Sequence, residues 1–530
     1  MTTATGTEPH DRHAAASRVA LFGSADALAA RSALTRGDLT AAEGLCARAA
    51  AADPAQGWAW LLLAETALLR ERADAAIKCA ERAVALLPDD PLAHTLLAKS
   101  LLVSGTAATA RRAADRAAQL VGTSAEALDA LGAIFGLLGQ HARARELCQR
   151  AAATRPPVPQ YLFNLAAAER TLGHLTAAES ACDAAIAANP RFCLAHYLRA
   201  DLRTQTRECN HVAELESLLA TGGLATADEV ALRFALAKEL EDLGEAARAF
   251  DQVAAGCTKQ RRSIAYDAAA EIAAIDRIIA VQERSWLART ASGDCRADPI
   301  FVTGLPRSGT TLIERIVASH SGMSAIGESG AFAAELRHGL QDLGPRYLAA
   351  AAGWSAATPG ARLIDKTLEN YLHCGLIHAV LPRARIILVR RDPLDACWAL
   401  YKAHFQGKFS FSYDQRELAD YYLAFRRLAR HWRATLPADV LLEVQYEDLV
   451  GDPGAHSRRL LEFLGLPWED AVLRFHENAT PSATASAVQV RQPVHQASVG
   501  KWRAHASRLT VLRDRLATEI PASELDPPRR

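Results

Sequence analysis

Small side chains recur along the first half of the chain with a period of 34 residues. Because small residues let two helices approach closely, glycine ends a helix and proline cannot continue one, each repeat is predicted to be a pair of helices joined by a turn. Four columns carry this pattern: Ala30, Ala64, Ala98, Gly132, Ala166 and Ala200; Ala49, Ala83, Ala117, Ala151 and Ala185; Gly37, Glu71, Gly105, Gly139 and Gly173; and Pro54, Pro88, Gly122, Pro156 and Pro190.

Five repeats are predicted between about Leu28 and Asp201, and a degenerate one follows, in which Ala237 and Gly244 keep the internal offset of the earlier units. The pattern resembles the tetratricopeptide repeat, a helix–turn–helix unit of this length. Such arrays stack into a superhelix with a concave groove. Two alternatives stay open: the groove binds a peptide or protein partner, or the array serves only for packing or dimerisation.

The hydrophobic pattern changes after Asp298. A helical stretch, Ser263 to Leu287, leads out of the repeats, and short apolar runs typical of strands then alternate with helical patterns. This alternation predicts a three-layer α/β domain with a mainly parallel sheet, so the expected fold is an all-α array followed by α/β. The predicted strands are Ile300–Thr303, Leu363–Asp365, Ile386–Val389 and Val440–Val444, and an amphipathic helix is predicted over Tyr413–Trp432.

These patterns divide the 530 residues into four parts. We expect a flexible tail over residues 1–22, the repeat array over 23–260, a connecting helix over 261–295 and the α/β domain over 296–530.

Composition and charge argue against some classes of protein. Sixty basic and sixty acidic residues give a net charge of zero, which argues against a general nucleic-acid binder. The ten cysteines include no C-x-x-C pair, and no signal peptide or apolar run of about 18 residues is found. The sequence therefore predicts a protein of the reducing cytoplasm with no membrane span.

The first chemical motif follows the predicted strand at Ile300. Its frame is Gly304-x4-Gly309-Thr310-Thr311, and a helical pattern comes directly after it. Strand, glycine loop and helix together aim backbone N–H groups and a helix N-terminus at an anion. An ATPase would have its lysine where this chain has Thr310, so we expect a phosphate loop of another kind, with Arg307 as a cation.

The run PRSGTTL resembles the 5′-phosphosulfate loop of sulfotransferases, which use 3′-phosphoadenosine 5′-phosphosulfate (PAPS). The likeness extends through most of Pro299 to Trp502 and is strongest to bacterial sulfotransferases with N-terminal tetratricopeptide repeats. Protein-tyrosine sulfotransferases are more distant. The resemblance implies that the 5′-phosphosulfate is held by Arg307, Ser308, Gly309, Thr310 and Thr311.

Further nucleotide contacts are implied by the same resemblance. Arg391 matches an arginine that contacts the 3′-phosphate, but the serine that the family has eight residues later is Ala399 here. Lys501 resembles another phosphate contact, and Tyr446 a tyrosine of the nucleotide site. A surface ion pair for Arg391 and a core position for Tyr446 are the structural alternatives. A motif shared with tyrosylprotein sulfotransferases comprises Gln489, Val490, Pro493 and Val494, followed by Lys501 and Trp502.

Three residues resemble the family's catalytic groups. Glu328 matches a general base, although a carboxylate there could also cap the next helix. Lys366 matches a lysine that contacts the bridging oxygen or the sulfuryl group, although Leu368 replaces the family's proline and a solvated lysine is the alternative. Ser486 resembles a serine that hydrogen-bonds the transferring group.

The function that we expect from the sequence is sulfuryl transfer from PAPS to a hydroxyl of a protein, a glycan or a small molecule (EC 2.8.2.-), with protein tyrosine as one acceptor. No metal is expected, because the histidines are scattered rather than set at ligand spacing. One alternative is a repeat scaffold of weakened activity, favoured by Ala399 and Leu368. A P-loop kinase is the other, and Thr310 argues against it.

Overall fold

The computed structural model describes residues 25–290, 297–354, 360–478, 480, 481, 484 and 488–526. The predicted tail and Ser486 lie outside these residues. The chain forms two compact units: one comprises the described residues up to Pro157 with Ala352–Trp354, and the other comprises the remaining described residues from Val158 onward. This division differs from the boundaries expected near residues 260 and 295, which stay a prediction.

Each of the five predicted repeats contains two helices that pack against each other. The aligned small residues lie between helices: Ala64, Ala98, Ala83 and Ala117, for example, are fully buried. A larger side chain would force these helices apart. The ten helices are α1 (Ala25–Thr35), α2 (Leu39–Ala52), α3 (Gly57–Leu69), α4 (Ala73–Leu86), α5 (Pro91–Val103), α6 (Ala107–Leu120), α7 (Ala125–Leu137), α8 (His141–Ala152), α9 (Pro159–Leu172) and α10 (Leu175–Ala188).

The turn inside each repeat has a left-handed residue at the column that is mostly glycine. The φ angle is 76° at Gly37 and 88° at Gly173, and Glu71 adopts 58° at the equivalent place. This backbone conformation is strained for residues with a Cβ, which explains why glycine prevails in the column.

The helices after the fifth repeat are less regular. Gly244, with a φ of 80°, forms the turn of the predicted degenerate repeat. The single helical stretch expected from Ser263 to Leu287 is wrong, because the backbone is extended at Ile264 and Asp267 caps a new helix by accepting from the Ala270 N–H. The helices are α11 (Cys193–Asp201), α12 (Val212–Thr221), α13 (Thr226–Asp242), α14 (Ala246–Ser263), α15 (Ala268–Val281) and α16 (Arg284–Thr290).

Five parallel strands form one sheet in the order β2-β3-β1-β4-β5. Every residue of the central strand β1 is buried. The carboxyl ends of parallel strands meet at one edge, where ligands bind in open α/β sheets. The strands are β1 (Ile300–Gly304), β2 (Met323–Ala325), β3 (Arg362–Asp365), β4 (Arg385–Arg390) and β5 (Leu441–Gln445). The prediction of a mainly parallel sheet is confirmed.

Helices cover both faces of this sheet. Ile300 and Val302 belong to an apolar core with Ile313 and Leu460 on one face. Phe301 points the other way and contacts the Tyr347 ring, with ring centroids 5.4 Å apart. This alternation is the three-layer arrangement that was predicted. The helices are α17 (Thr310–Ala318), α18 (Ala331–Leu336), α19 (Leu343–Trp354), α20 (Cys374–Val380), α21 (Pro393–Tyr401), α22 (Gln415–Thr435), α23 (Tyr446–Gly451), α24 (Pro453–Leu464), α25 (Thr510–Leu516) and α26 (Ala522–Leu525).

Among the described residues, no helix is both long enough and apolar enough to span a bilayer.

Candidate active site

The glycine loop joins β1 to α17 at the carboxyl edge of the sheet. Ser308 closes it by donating from its hydroxyl to the Leu305 carbonyl oxygen at 2.7 Å. Arg307 and Gly309 both have left-handed backbones, with φ angles of 63° and 102°. The chain then enters α17 at Thr310, which gives the loop and the helix N-terminus the geometry of an anion site.

Tyr446, the first residue of α23, packs directly on this loop. A Cβ added to Gly309 would lie 2.5 Å from Cδ2 of the Tyr446 ring, so no larger residue fits there. The Arg391 guanidinium lies over the Tyr446 ring, 5.0 Å from the ring centroid. Tyr446 therefore brings the loop and Arg391 together.

Arg391 follows β4 and reaches two backbone carbonyl oxygens. It donates to Arg307 at 2.9 Å and to Ser498 at 2.5 Å. Its buried Nε has no acceptor among the described residues. The Arg307 side chain in turn donates to Gln489 Oε1 at 3.1 Å, which joins the loop to the predicted Gln-Val motif.

Glu328 and Lys366, the two described residues that were predicted to be catalytic, contact each other. The Lys366 ammonium donates to Glu328 Oε1 at 2.5 Å and lies 3.9 Å from Glu314 Oε2. The Lys366 side chain is fully buried, whereas that of Glu328 is 44% exposed. Burial raises the pKa of Glu314, and the charge of Lys366 opposes this shift. A buried lysine thus supports a carboxylate that remains accessible.

Asp365 organises the backbone around this pair, and sequence reasoning did not identify it. The buried carboxylate accepts from the Thr367 N–H at 2.9 Å, the Ser329 hydroxyl at 3.1 Å and the Tyr347 hydroxyl at 3.2 Å. Burial raises its pKa, and these hydrogen bonds oppose the shift. Asp365 therefore fixes the segments next to Lys366 and Glu328. The sequence signal that could have identified Asp365 is its position at the carboxyl end of the predicted strand Leu363–Asp365.

Asp395 is a second organising residue that the sequence did not reveal. Its carboxylate accepts from the Gly500 N–H at 2.5 Å and from the Trp502 N–H at 3.2 Å. Both donors flank Lys501, whose side chain is 46% exposed. Asp395 lies in the first turn of α21, so this helix holds the loop that presents Lys501.

A cleft of about 700 Å³ brings most of the predicted residues together. Ser308 and Lys366 are buried and are not among its lining residues. The predicted residues that line the cleft are Arg307, Gly309, Thr310, Thr311, Glu328, Arg391, Tyr446 and Lys501.

The repeat-like helices of the second unit form another wall of the same cleft, which the sequence did not predict. Tyr197 and Phe234 contact the His404 ring, with ring centroids 5.3 and 5.2 Å away. Glu241 of α13 accepts from the Lys402 ammonium at 2.6 and 2.7 Å. Seven lysine or arginine side chains and four carboxylates are found among the described residues that line the cleft. The cleft as a whole therefore suits an anionic ligand.

The described residues contain no group of three or more His, Cys, Asp or Glu side chains placed to hold a metal ion. The expectation of a metal-free reaction stays a prediction.

Comparison with known proteins agrees with this geometry. Residues 299–470 match the model of the sulfotransferase family, and residues 33–100 match that of the tetratricopeptide repeat. The chain therefore combines tetratricopeptide repeats with a sulfotransferase-family domain.

Known proteins are similar to parts of this chain. An uncharacterized protein of Aquifex aeolicus (strain VF5) is 30% identical over 56% of this chain and 42% of its own length. Protein-tyrosine sulfotransferase 1 of Danio rerio is 27% identical over 38% of this chain and 65% of its own length. The chain thus spans less than two thirds of each relative. The sulfotransferase domain of the Synechococcus PCC 7002 olefin synthase is 18% identical over 40% of this chain and 90% of that domain, with a TM-score of 0.32.

Proposed function

We propose that this protein is a PAPS-dependent sulfotransferase (EC 2.8.2.-) that transfers a sulfuryl group to a hydroxyl acceptor. One observation carries the proposal: the glycine loop and the contacting pair of Glu328 and Lys366 line or underlie the same cationic cleft. The loop is suited to an anion, and the pair combines a base with a cation.

The residues around the loop fit the donor. Backbone N–H groups from Ser308 to Thr311 are suited to the 5′-phosphosulfate, and Arg391 is suited to the 3′-phosphate. Tyr446, in contact with Gly309 and Arg391, would position both groups. The buried Nε of Arg391, which has no acceptor among the described residues, is consistent with a ligand that this arginine still has to bind.

The chemistry assigned to the pair is an in-line displacement. Glu328 accepts the proton of the acceptor hydroxyl while the hydroxyl oxygen forms its bond to sulfur, and the bond from sulfur to the 5′-phosphate oxygen breaks. Lys366 stabilises the negative charge that develops on the departing phosphate oxygen. Its complete burial removes competing water, which strengthens this stabilisation.

The acceptor that we propose is a tyrosine side chain of a protein. The aromatic wall around His404 is suited to a second ring, and it is contributed partly by helices that continue the repeat array. Similarity to protein-tyrosine sulfotransferases supports the same acceptor. Incubation of a lysate with radiolabelled PAPS should label protein, and label confined to small molecules would contradict this part of the proposal.

Calorimetric titration with 3′-phosphoadenosine 5′-phosphate, without metal and with ATP as the control, tests the donor class. We expect binding of the bisphosphate alone. Tight binding of ATP that requires Mg²⁺ would instead favour a P-loop kinase, and failure to bind either nucleotide would favour a repeat scaffold of weakened activity.

A further inference from the structure

The turn of the fifth repeat is in contact with Arg491, a residue near the C-terminus that sequence reasoning did not single out. The Arg491 guanidinium donates to the carbonyl oxygen of Thr171, in the last turn of α9, at 2.9 Å. It also packs on Gly173, which ends α9: a Cβ added to this glycine would lie 2.4 Å from Arg491 Cζ. The Arg491 side chain therefore occupies space that a larger residue in the turn would need.

Arg491 lies two positions after a residue that contacts the glycine loop. One short 3₁₀ helix contains both Gln489 and Arg491, so a guanidinium held at the repeat turn also fixes the backbone at Gln489. Gln489 Oε1 accepts from the Arg307 side chain at 3.1 Å. Gln489 and Arg307 line the cleft, whereas Arg491 does not. Contacts thus connect the fifth repeat, through Arg491 and Gln489, to the cation of the loop.

A second connection starts from the same end of α9. Arg170 forms a salt bridge of 2.6 Å with Asp201, the last residue of α11, and its side chain is only 13% exposed. Arg170 also donates to the Thr484 carbonyl oxygen at 3.4 Å. Burial lowers the pKa of Arg307, and the charge of Asp201 opposes this shift. The repeat helices therefore support the surroundings of the loop through charge as well as through contacts.

The requirements of the turn do not account for the Arg491 contact. Gly244, in the turn of the degenerate repeat, has nearly the same left-handed backbone as Gly173, with φ angles of 80° and 88°. A Cβ added to Gly244 would meet no atom within 4 Å. Both turns need glycine for their backbone conformation, but at Gly173 the neighbouring space is also taken by a side chain from the C-terminal part of the chain.

We propose that Arg491 is a positioning residue for the 5′ group of the donor, and that the turn of the fifth repeat holds it in place. This inference rests on the proposed function. Arg491, held at Thr171 and Gly173, fixes Gln489, and Gln489 keeps the Arg307 side chain at the loop that is suited to the 5′-phosphosulfate. The fifth repeat then contributes to donor recognition, which is distinct from binding a partner in the groove and from packing alone.

Titrations with two nucleotides locate the effect at the 5′ group. The probes are 3′-phosphoadenosine 5′-phosphate and adenosine 3′-monophosphate, which differ only in the 5′-phosphate. Arg491→Met removes the donor to Thr171, so bisphosphate affinity should fall about fivefold or more, because Arg307 is no longer held in advance. Monophosphate affinity should stay within about twofold. Arg491→Lys keeps a charged donor and should bind the bisphosphate more tightly than Arg491→Met does.

Gly173→Ala and Gly244→Ala form a matched pair of variants. Each places a Cβ on a left-handed turn, so both should lower the denaturant midpoint by similar amounts. In Gly173→Ala the added methyl group also displaces the flexible Arg491 guanidinium. This variant should therefore weaken the bisphosphate about threefold or more, whereas Gly244→Ala should leave its affinity unchanged.

The inference would be overturned if Arg491→Met weakened both nucleotides equally or left bisphosphate affinity unchanged. Equal bisphosphate affinities of the two alanine variants would overturn it as well, because the repeat turn would then serve stability alone. If the unmodified protein does not bind the bisphosphate at all, it is the proposed function that fails.

Discussion

The repeats and the sulfotransferase domain use glycine for different reasons. In the first repeat Gly37 has a φ of 76°, and a Cβ at this position would meet no atom within 4 Å. In the glycine loop after β1, Gly309 has a φ of 102°, and a Cβ would also lie 2.5 Å from the Tyr446 ring. The repeat turn therefore requires only a backbone conformation, whereas the loop requires that conformation and a close tertiary contact.

The same contrast holds for the polar residues of the two regions. Side-chain pairs in the repeats include ones that join adjacent repeats at nearly the repeat spacing: Arg72 and Glu43 are 29 positions apart, and Arg143 and Asp115 are 28 apart. The site joins residues that are distant in the chain: Lys366 and Glu328 are 38 positions apart, and Arg307 and Gln489 are 182 apart. We therefore expect a substitution in one of the first four repeats to affect stability and a similar substitution in the candidate active site to affect activity.

The largest effect is expected from Glu328→Gln. The amide keeps the size of the side chain but cannot accept the acceptor's proton, so kcat should fall about 100-fold or more while bisphosphate affinity stays within about twofold. Steady-state kinetics and calorimetry measure the two. Glu335→Gln is the control, because Glu335 pairs with Arg346 on the following helix and does not line the cleft. Normal turnover of Glu328→Gln would place the base elsewhere.

Gly309→Ala tests the comparison directly. The added Cβ must displace Tyr446, so bisphosphate affinity should fall about tenfold or more and the free energy of unfolding by roughly 2 kcal/mol. Gly37→Ala is the matched change, with a backbone strain of about 1 kcal/mol and unchanged nucleotide affinity. If both variants lose stability alike and neither loses affinity, the proposed distinction between the two glycines is wrong.

Asp392→Asn compares helix caps in the two regions. Burial raises the pKa of Asp392 to about 7, and the nearby charges of Asp395 and Glu447 add to the shift. The folded state then binds a proton more tightly than the unfolded state, so the carboxyl lowers stability as pH rises from about 4 to 7.

Asparagine can still cap α21 and removes this titration. The stability of Asp392→Asn relative to the original protein should therefore rise by on the order of 1–2 kcal/mol between pH 5 and pH 7, measured by chemical denaturation. Asp38 caps α2 in the first repeat and is exposed, so Asp38→Asn provides the control. A difference for Asp392→Asn that does not vary with pH would contradict the interpretation.

The smallest effect is expected from Glu71→Gly. Glu71 adopts a φ of 58° at a column where the other repeats have glycine. Glycine removes the left-handed strain, so the free energy of unfolding should increase by about 0.5–1 kcal/mol, with sulfuryl transfer unchanged. Denaturant midpoints measure this gain. A loss of stability would show that the Glu71 side chain, rather than its backbone, determines this position.

Much of the fold was predictable because it depends on short-range patterns. The helix pairs follow from small residues and turn signals spaced 34 positions apart, and β1 was predicted to within one residue because a buried strand is a continuous apolar run. The prediction of one long helix across Ser263 to Leu287 was wrong. It followed the helical periodicity of this stretch and did not use the capping signal at Asp267, where a new helix begins.

The sequence by itself determined the repeats, four of the five strands and the position of the glycine loop, since neighbouring residues carry each of these signals. Only the tertiary structure decided that Asp365 supports Lys366 and that Glu241 of the repeat-like helices meets Lys402, 161 positions away. Such pairs leave no periodic trace in the chain, because their partners are brought together by the packing of whole helices and strands.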